Sequence, residues 1–168
     1  MSVRVMRIAF ASDEPYPVHA VIRAELERRG HAVVAFGAIE TGNDAPWALV
    51  AEEAARAIVR GDCDEGVFLC WTGTGISIAA NKVVGIRAAL CGDPGTAAGA
   101  RVWNHANVLC LSNRTLSGDM AKEILAAWFE TEPGDRGSAG VADLAAVEAR
   151  QTSDRRDPGK ASSLWTAL

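Results

Sequence analysis

No run in the 168 residues stays apolar for the length a membrane crossing needs. The N-terminus likewise lacks the apolar core and small-residue cleavage site of a secretory leader. Neither sign of charge prevails, since 17 lysines and arginines face 21 aspartates and glutamates for a net of −4. A basic face for a nucleic-acid backbone is therefore not expected. The four cysteines (Cys63, Cys70, Cys91, Cys110) contain no C-x-x-C pair, and the three histidines (His19, His31, His105) show no metal-ligand spacing. These absences exclude a disulfide or zinc framework and leave reduced thiols in a cytoplasmic protein without a metal.

What is present reads as one domain over residues 1–150, followed by a polar, aperiodic tail at 151–168 expected to be flexible. Short apolar runs at Met6–Ser12, Val33–Gly37, Gly66–Cys70, Arg87–Cys91 and Asn107–Ser112 read as strands, which puts Cys70, Cys91 and Cys110 at strand ends. Between them, helices are expected from Val18 to the stop at Gly30, over Trp47–Val59, over 75–83, from Pro94 to about Val102, and over Gly118–Phe129. A loop over 131–140 and a last helix over 141–150 complete the chain. His19 is expected as a solvated helix residue and His31 as a surface or capping residue. Strands alternating with helices at this spacing imply an α/β fold: a three-layer α/β/α Rossmann-like sandwich around a five-stranded parallel sheet.

Such sheets bind ligands at the carboxyl ends of their strands. That rule puts Asp13, Cys70 to Gly75, Gly92-Asp93 and Asn113-Arg114 on one rim. The stretch Glu65 to Lys82 is strand, glycine-bearing turn and helix, and a helix start offers unpaired N–H groups and a positive dipole end to an anion. A cysteine ending a buried strand is more often a small core residue, and Gly73-Thr-Gly75 lacks the third glycine of a dinucleotide fingerprint. Convergence on one rim favours the functional reading. Cys70 then shuttles a proton while the loop holds an enediolate oxyanion.

The order of these motifs resembles a known group. Ser12-Asp13, Asn43-Asp-Ala-Pro46, the run Cys70-Trp-Thr-Gly-Thr-Gly-Ile-Ser-Ile-Ala-Ala-Asn-Lys82 continuing to Cys91, Asp93-Pro94, Asn104 and Asn107-Val-Leu109 are similar to the ribose-5-phosphate isomerase B and galactose-6-phosphate isomerase family. The resemblance spans about Met6 to Arg150. It implies a homodimer, possibly a tetramer, with the active site at the subunit interface and no cofactor. It also implies Cys70 as the base moving a proton between the first two carbons of an open-chain sugar, and an anion hole from the Trp71 to Gly75 amides. Thr72 would bond a substrate oxygen, Asp13 and Asn104 would bind hydroxyls, and Arg114 would reach a phosphate. Gly73, Thr74, Gly75 and Ser77 complete the expected binding loop.

Four departures qualify the match. Glu14 and Trp103 stand where the family has a substrate-binding and a ring-opening histidine, although His105 lies two positions from the latter. Trp71 replaces a glycine, and Arg136-Gly-Ser-Ala-Gly140 is all that remains of an Arg-His-x-x-Arg phosphate clamp. The expected function is an aldose–ketose isomerase acting on a sugar or sugar phosphate other than ribose 5-phosphate. The alternatives are a true ribose-5-phosphate isomerase B and a non-catalytic partner subunit.

Overall fold

The computed structural model describes residues 4–154. Five parallel strands, β1 (Arg7–Ser12), β2 (Ala32–Gly37), β3 (Glu65–Cys70), β4 (Ala88–Leu90) and β5 (Val108–Ser112), form one sheet in the order β2-β1-β3-β5-β4. Their alternation divides the core in two. Ile8, Phe10, Leu69, Leu109 and Leu111 pack toward α1 (Val18–Arg28), α5 (Pro94–Asn104) and α6 (Gly118–Glu130). Ala9, Ala11, Phe68, Cys70 and Cys110 pack toward α3 (Trp47–Val59) and α4 (Thr74–Ala80). A short α2 (Ala38–Thr41) follows β2, and a 3-10 turn at Asp135–Gly137 leads into α7 (Ser138–Asp154), which lies against α5. No helix among the described residues is long and apolar enough to cross a membrane.

The three-layer α/β/α expectation matches this architecture; several local expectations do not. The last helix starts at Ser138, inside the segment expected as a loop, and runs on through Gln151 to Asp154. The boundary at 150 therefore falls within a helix, and the rest of the expected tail lies outside the described residues. Cys110 sits mid-strand in β5, paired with Phe68 and Leu90, rather than at a strand end. Burial pushes its thiol far up, lifts Cys91 to about 11 with help from Asp93, and raises Cys63. These three thiols are packing residues.

The lower edge of the sheet is pinned by an ion pair that composition does not reveal. Arg101 of α5, buried, meets Glu65 Oε1 at 2.8 Å, and Trp128 donates its indole N–H to Glu65 Oε2 at 2.8 Å. The same guanidinium donates to the Ala106 carbonyl at 2.7 Å and lies 5.0 Å from the Trp128 ring centroid. Burial raises the Glu65 carboxyl, opposed by Arg101.

His31 is not a surface residue. It is 4% exposed, accepts the Met6 N–H at Nδ1 (3.3 Å) and packs on Phe129 at 4.5 Å between ring centroids, while Nε2 has no partner among the described residues. Burial, then the charge of Arg29, lowers its affinity for a proton. The unfolded chain takes up that proton near pH 6.5, whereas the fold resists it. Stability is thus complete above about pH 6.5 and is lost as pH falls from there through the depressed folded value. His19, lowered by its own burial, adds to the same slope. We expect the Tm to drop by several degrees between pH 7.5 and 5, and His31→Gln to flatten the profile. An unchanged slope in that variant would remove His31 as its source.

Candidate active site

The switch point of this sheet lies between β1, which continues to β2 on one side, and β3 on the other. Register pairs Ser12 with Leu69, so the next step along both strands brings Asp13 beside Cys70. Both belong to the α3/α4 face by alternation. Cys70 is 5% exposed and its carbonyl accepts the Gly73 N–H (3.2 Å) and the Asn113 N–H (3.0 Å). Asp13 is 7% exposed, and its Oδ1 has no hydrogen-bond partner among the described residues. Burial, then the charge of Glu14, raises its carboxyl above the usual range. An unpartnered buried oxygen of this kind suits a ligand hydroxyl.

The loop after Cys70 turns through Gly73, whose φ of +76° favours glycine. A Cβ there would also lie 2.5 Å from Leu90 and 2.8 Å from the Leu111 carbonyl oxygen. The turn brings α4 in at once, and the N–H groups of Thr72, Thr74 and Gly75 take no acceptor within the described residues. Thr72 and Thr74 share a hydroxyl bond of 2.6 Å at the exposed lip. Ser77 lies a turn deeper, with its hydroxyl toward the buried Cys110 thiol. Trp71 does not fill the cleft. It is half exposed, with the Arg114 guanidinium 5.2 Å from its ring centroid. A cavity of about 360 Å³ opens beside Thr72 and Arg114, with Gly92 and Ser112 in its wall.

The remaining expected site residues are elsewhere. Asp93 caps α5 through Thr96 N–H (2.8 Å) and Pro94 opens it. From that rim the helix descends eleven residues, roughly 16 Å at 1.5 Å per residue. Trp103 and Asn104 therefore sit at its far end, exposed, on the opposite edge of the sheet from Cys70. Arg136 is there too, 5.4 Å from the Trp103 ring centroid. Gly137 closes the contact, since a Cβ on it would lie 2.5 Å from the Val102 carbonyl oxygen. Among the described residues neither Arg114 nor Arg136 pairs with a carboxylate. One chain thus brings Asp13, Glu14, Cys70, Thr72 and Arg114 together but holds Trp103, Asn104 and Arg136 apart from them.

The histidines are committed. His105, at φ +45° in the left-handed cap of α5, bonds the Gly134 carbonyl through Nε2 at 2.9 Å. His19, expected in solvent, bonds Asn113 Oδ1 through Nε2 at 2.8 Å and accepts the Tyr16 N–H at Nδ1.

Residues 8–144 match the family model described as Ribose/Galactose Isomerase. The chain belongs to that family of sugar isomerases. It is 35% identical over 147 residues to ribose-5-phosphate isomerase B of Escherichia coli, covering 86% of this chain and 98% of that one. To the D-erythrulose-4-phosphate isomerase of Pectobacterium atrosepticum it is 41% identical over 114 residues, 68% of this chain and 75% of the relative. The solved ribose-5-phosphate isomerase B of Clostridium thermocellum superposes with a TM-score of 0.81 at 36% identity, over 87% of this chain and 99% of that structure.

Residues that sequence reasoning passed over include Asn113 as more than a rim position, His19, and the Glu65–Arg101 pair. No periodicity signals them. The only hint was that Asn113 directly precedes Arg114 on the rim.

Proposed function

We propose that the protein interconverts an aldose and a ketose phosphate too short to close a ring, a four-carbon chain, by proton transfer through a cis-enediolate. The Cys70 thiolate takes the proton from the carbon next to the carbonyl and returns it to the neighbouring carbon. The hydroxyl oxygen of the first carbon gives up its proton while the former carbonyl oxygen gains one, so both hydrogens pass the same way from one carbon to the next and the reaction balances without any cofactor. The developing oxyanion faces the unpaired Thr72, Thr74 and Gly75 amides, which stabilise it as it forms. Asp13 accepts a substrate hydroxyl and Arg114 binds the phosphate.

The observation that carries the choice of a short substrate is the state of the histidines. Ring opening in the resembled family uses an imidazole, and here Trp103 stands in that place. All three histidines of this chain are bonded or buried: His105 to Gly134, His19 to Asn113 and Tyr16, His31 under Phe129. The name of the Pectobacterium relative, an erythrulose phosphate isomerase, supports the same reading. A substrate that stays open-chain needs no ring-opening acid.

The separated residues are accommodated by a homodimer in which a second copy contributes Trp103, Asn104 and Arg136 to the rim of the first. The edge strand β4, α5 and α7 border a groove of about 900 Å³ with Leu90, Trp103, Leu144 and Val147 exposed along it. An apolar strip of that kind suits burial against a copy of itself. The test is a side-by-side assay on D-erythrulose 4-phosphate and ribose 5-phosphate. We expect kcat/KM to favour the four-carbon substrate by about 100-fold or more, the scale of a lost general acid. Equal turnover would return the protein to the ribose-5-phosphate reading.

A further inference from the structure

Ser12 and Asn113 follow the alternation onto the α1/α6 face, behind the cleft that Asp13 and Cys70 face. Asn113 is 6% exposed and Ser12 fully buried. We propose that Asn113 and His19 are positioning residues that hold Asp13, Cys70 and Arg114 at their working separation. The proposal rests on the isomerase reading above.

The hydrogen bonds there leave one assignment of protons. His19 Nδ1 accepts the Tyr16 N–H at 3.2 Å, so its proton resides on Nε2 and is donated to Asn113 Oδ1 at 2.8 Å. The amide nitrogen Nδ2 of Asn113 then donates to Ser12 Oγ at 3.1 Å, and the Ser12 hydroxyl donates to the Glu14 carbonyl at 2.9 Å. The series starts on Tyr16 and ends on Glu14, so it closes around the loop that carries Asp13. The backbone of the same segment fixes the other half of the rim. Asn113 N–H donates to the Cys70 carbonyl at 3.0 Å and Arg114 N–H to the Trp71 carbonyl at 2.9 Å. Asn113 therefore binds β1, β3 and α1 at once, and every polar atom of its side chain has a partner. Phe10 meets the His19 ring edge-on at 5.9 Å between centroids and limits its rotation.

The side chains of His19, Asn113 and Ser12 lie on the face away from Asp13 and Cys70, so their effect on chemistry runs through geometry, where a displacement of about 1 Å costs on the order of 100-fold. Two substitutions separate the roles of the two ring nitrogens. His19→Asn keeps an acceptor for Tyr16 and loses the donor to Asn113, whereas His19→Gln reaches Asn113 with an amide donor. We expect His19→Asn to lower kcat by about 100-fold with KM within a few-fold, and His19→Gln to restore most of it at a similar Tm. Asn113→Asp, which has no donor for Ser12, should behave like His19→Asn. A role limited to starting α1 would reverse the order, with His19→Asn benign and His19→Gln impaired; that result, or equal losses in both, overturns the proposal.

Assays use D-erythrulose 4-phosphate with Cys70→Ala as the control. Should the wild type exchange no substrate proton, the isomerase reading fails on its own. Alkylation of Cys70 by iodoacetamide, followed by peptide mass spectrometry, needs no substrate and still decides the positioning claim. Its rate should change in His19→Asn and stay at the wild-type value in His19→Gln; the same rate in all three proteins would overturn the claim.

Discussion

Cys70→Ala should exchange the substrate α-proton with solvent deuterium no faster than buffer does, a loss of about 1,000-fold or more for removal of the base. The α-proton of a hydroxycarbonyl is acidic only while the enediolate oxygen is stabilised, so base and anion hole must act at one point. The proposed mechanism meets that requirement, because β3 ends at Cys70 and α4 begins four residues later at Thr74. The other three thiols are buried with raised proton affinity and offer no substitute. Proton NMR in deuterium oxide reads the exchange directly. Cys70→Ala removes one buried sulfur atom, so its melting curve should remain cooperative. Full exchange in a folded Cys70→Ala protein would transfer the base role elsewhere on the rim, with Asp13 as the nearest carboxylate by strand register.

The second large effect concerns stability. Arg101→Met should cost about 3–5 kcal/mol, because it strands the Glu65 carboxylate in the interior without its counter-charge. It also removes a donor from the Ala106 carbonyl and a cation from the face of Trp128. Adding Glu65→Gln should recover much of the loss, since a neutral pair of similar volume carries no stranded charge and Gln can still bond Trp128. Urea denaturation of the two single variants and the double variant gives the coupling energy from the midpoints, provided the slopes agree. Strict additivity would show that the ion pair contributes nothing as a pair.

The five-stranded parallel sheet and the strand, turn and helix around Cys70 were legible because they rest on local patterns. Apolar runs, glycine stops and Asp93-Pro94 each act within a few residues. The helix end at Gly30 followed for the same reason, that glycine adopting positive φ. The errors share a different cause. His31 and His19 are polar residues whose partners, Met6 and Asn113, lie 25 and 94 positions away. The Arg101–Glu65 pair carries no local signal in the sequence; it sits out of solvent because Trp128 and each partner supply the bonds that water would make. Pairings over such distances are fixed by topology, which a window of neighbours does not contain. The separation of Trp103 and Arg136 from Cys70 is a similar case: the resemblance implied a site at a subunit interface, but the length of α5 that parts these residues from Cys70 is not written in the motif.

α5 gains a further meaning from that separation. It starts at Asp93 on the rim of one cleft and ends at Trp103 and Asn104, which in the proposed dimer enter the other. The helix is then a gauge rod between two reaction centres. One added residue would lengthen it by about 1.5 Å and swing Trp103 by about 100° around the axis, spoiling the fit of both clefts together. Length variation can accumulate in the loop at 42–46 between α2 and α3, but the eleven residues of this rod have a fixed count.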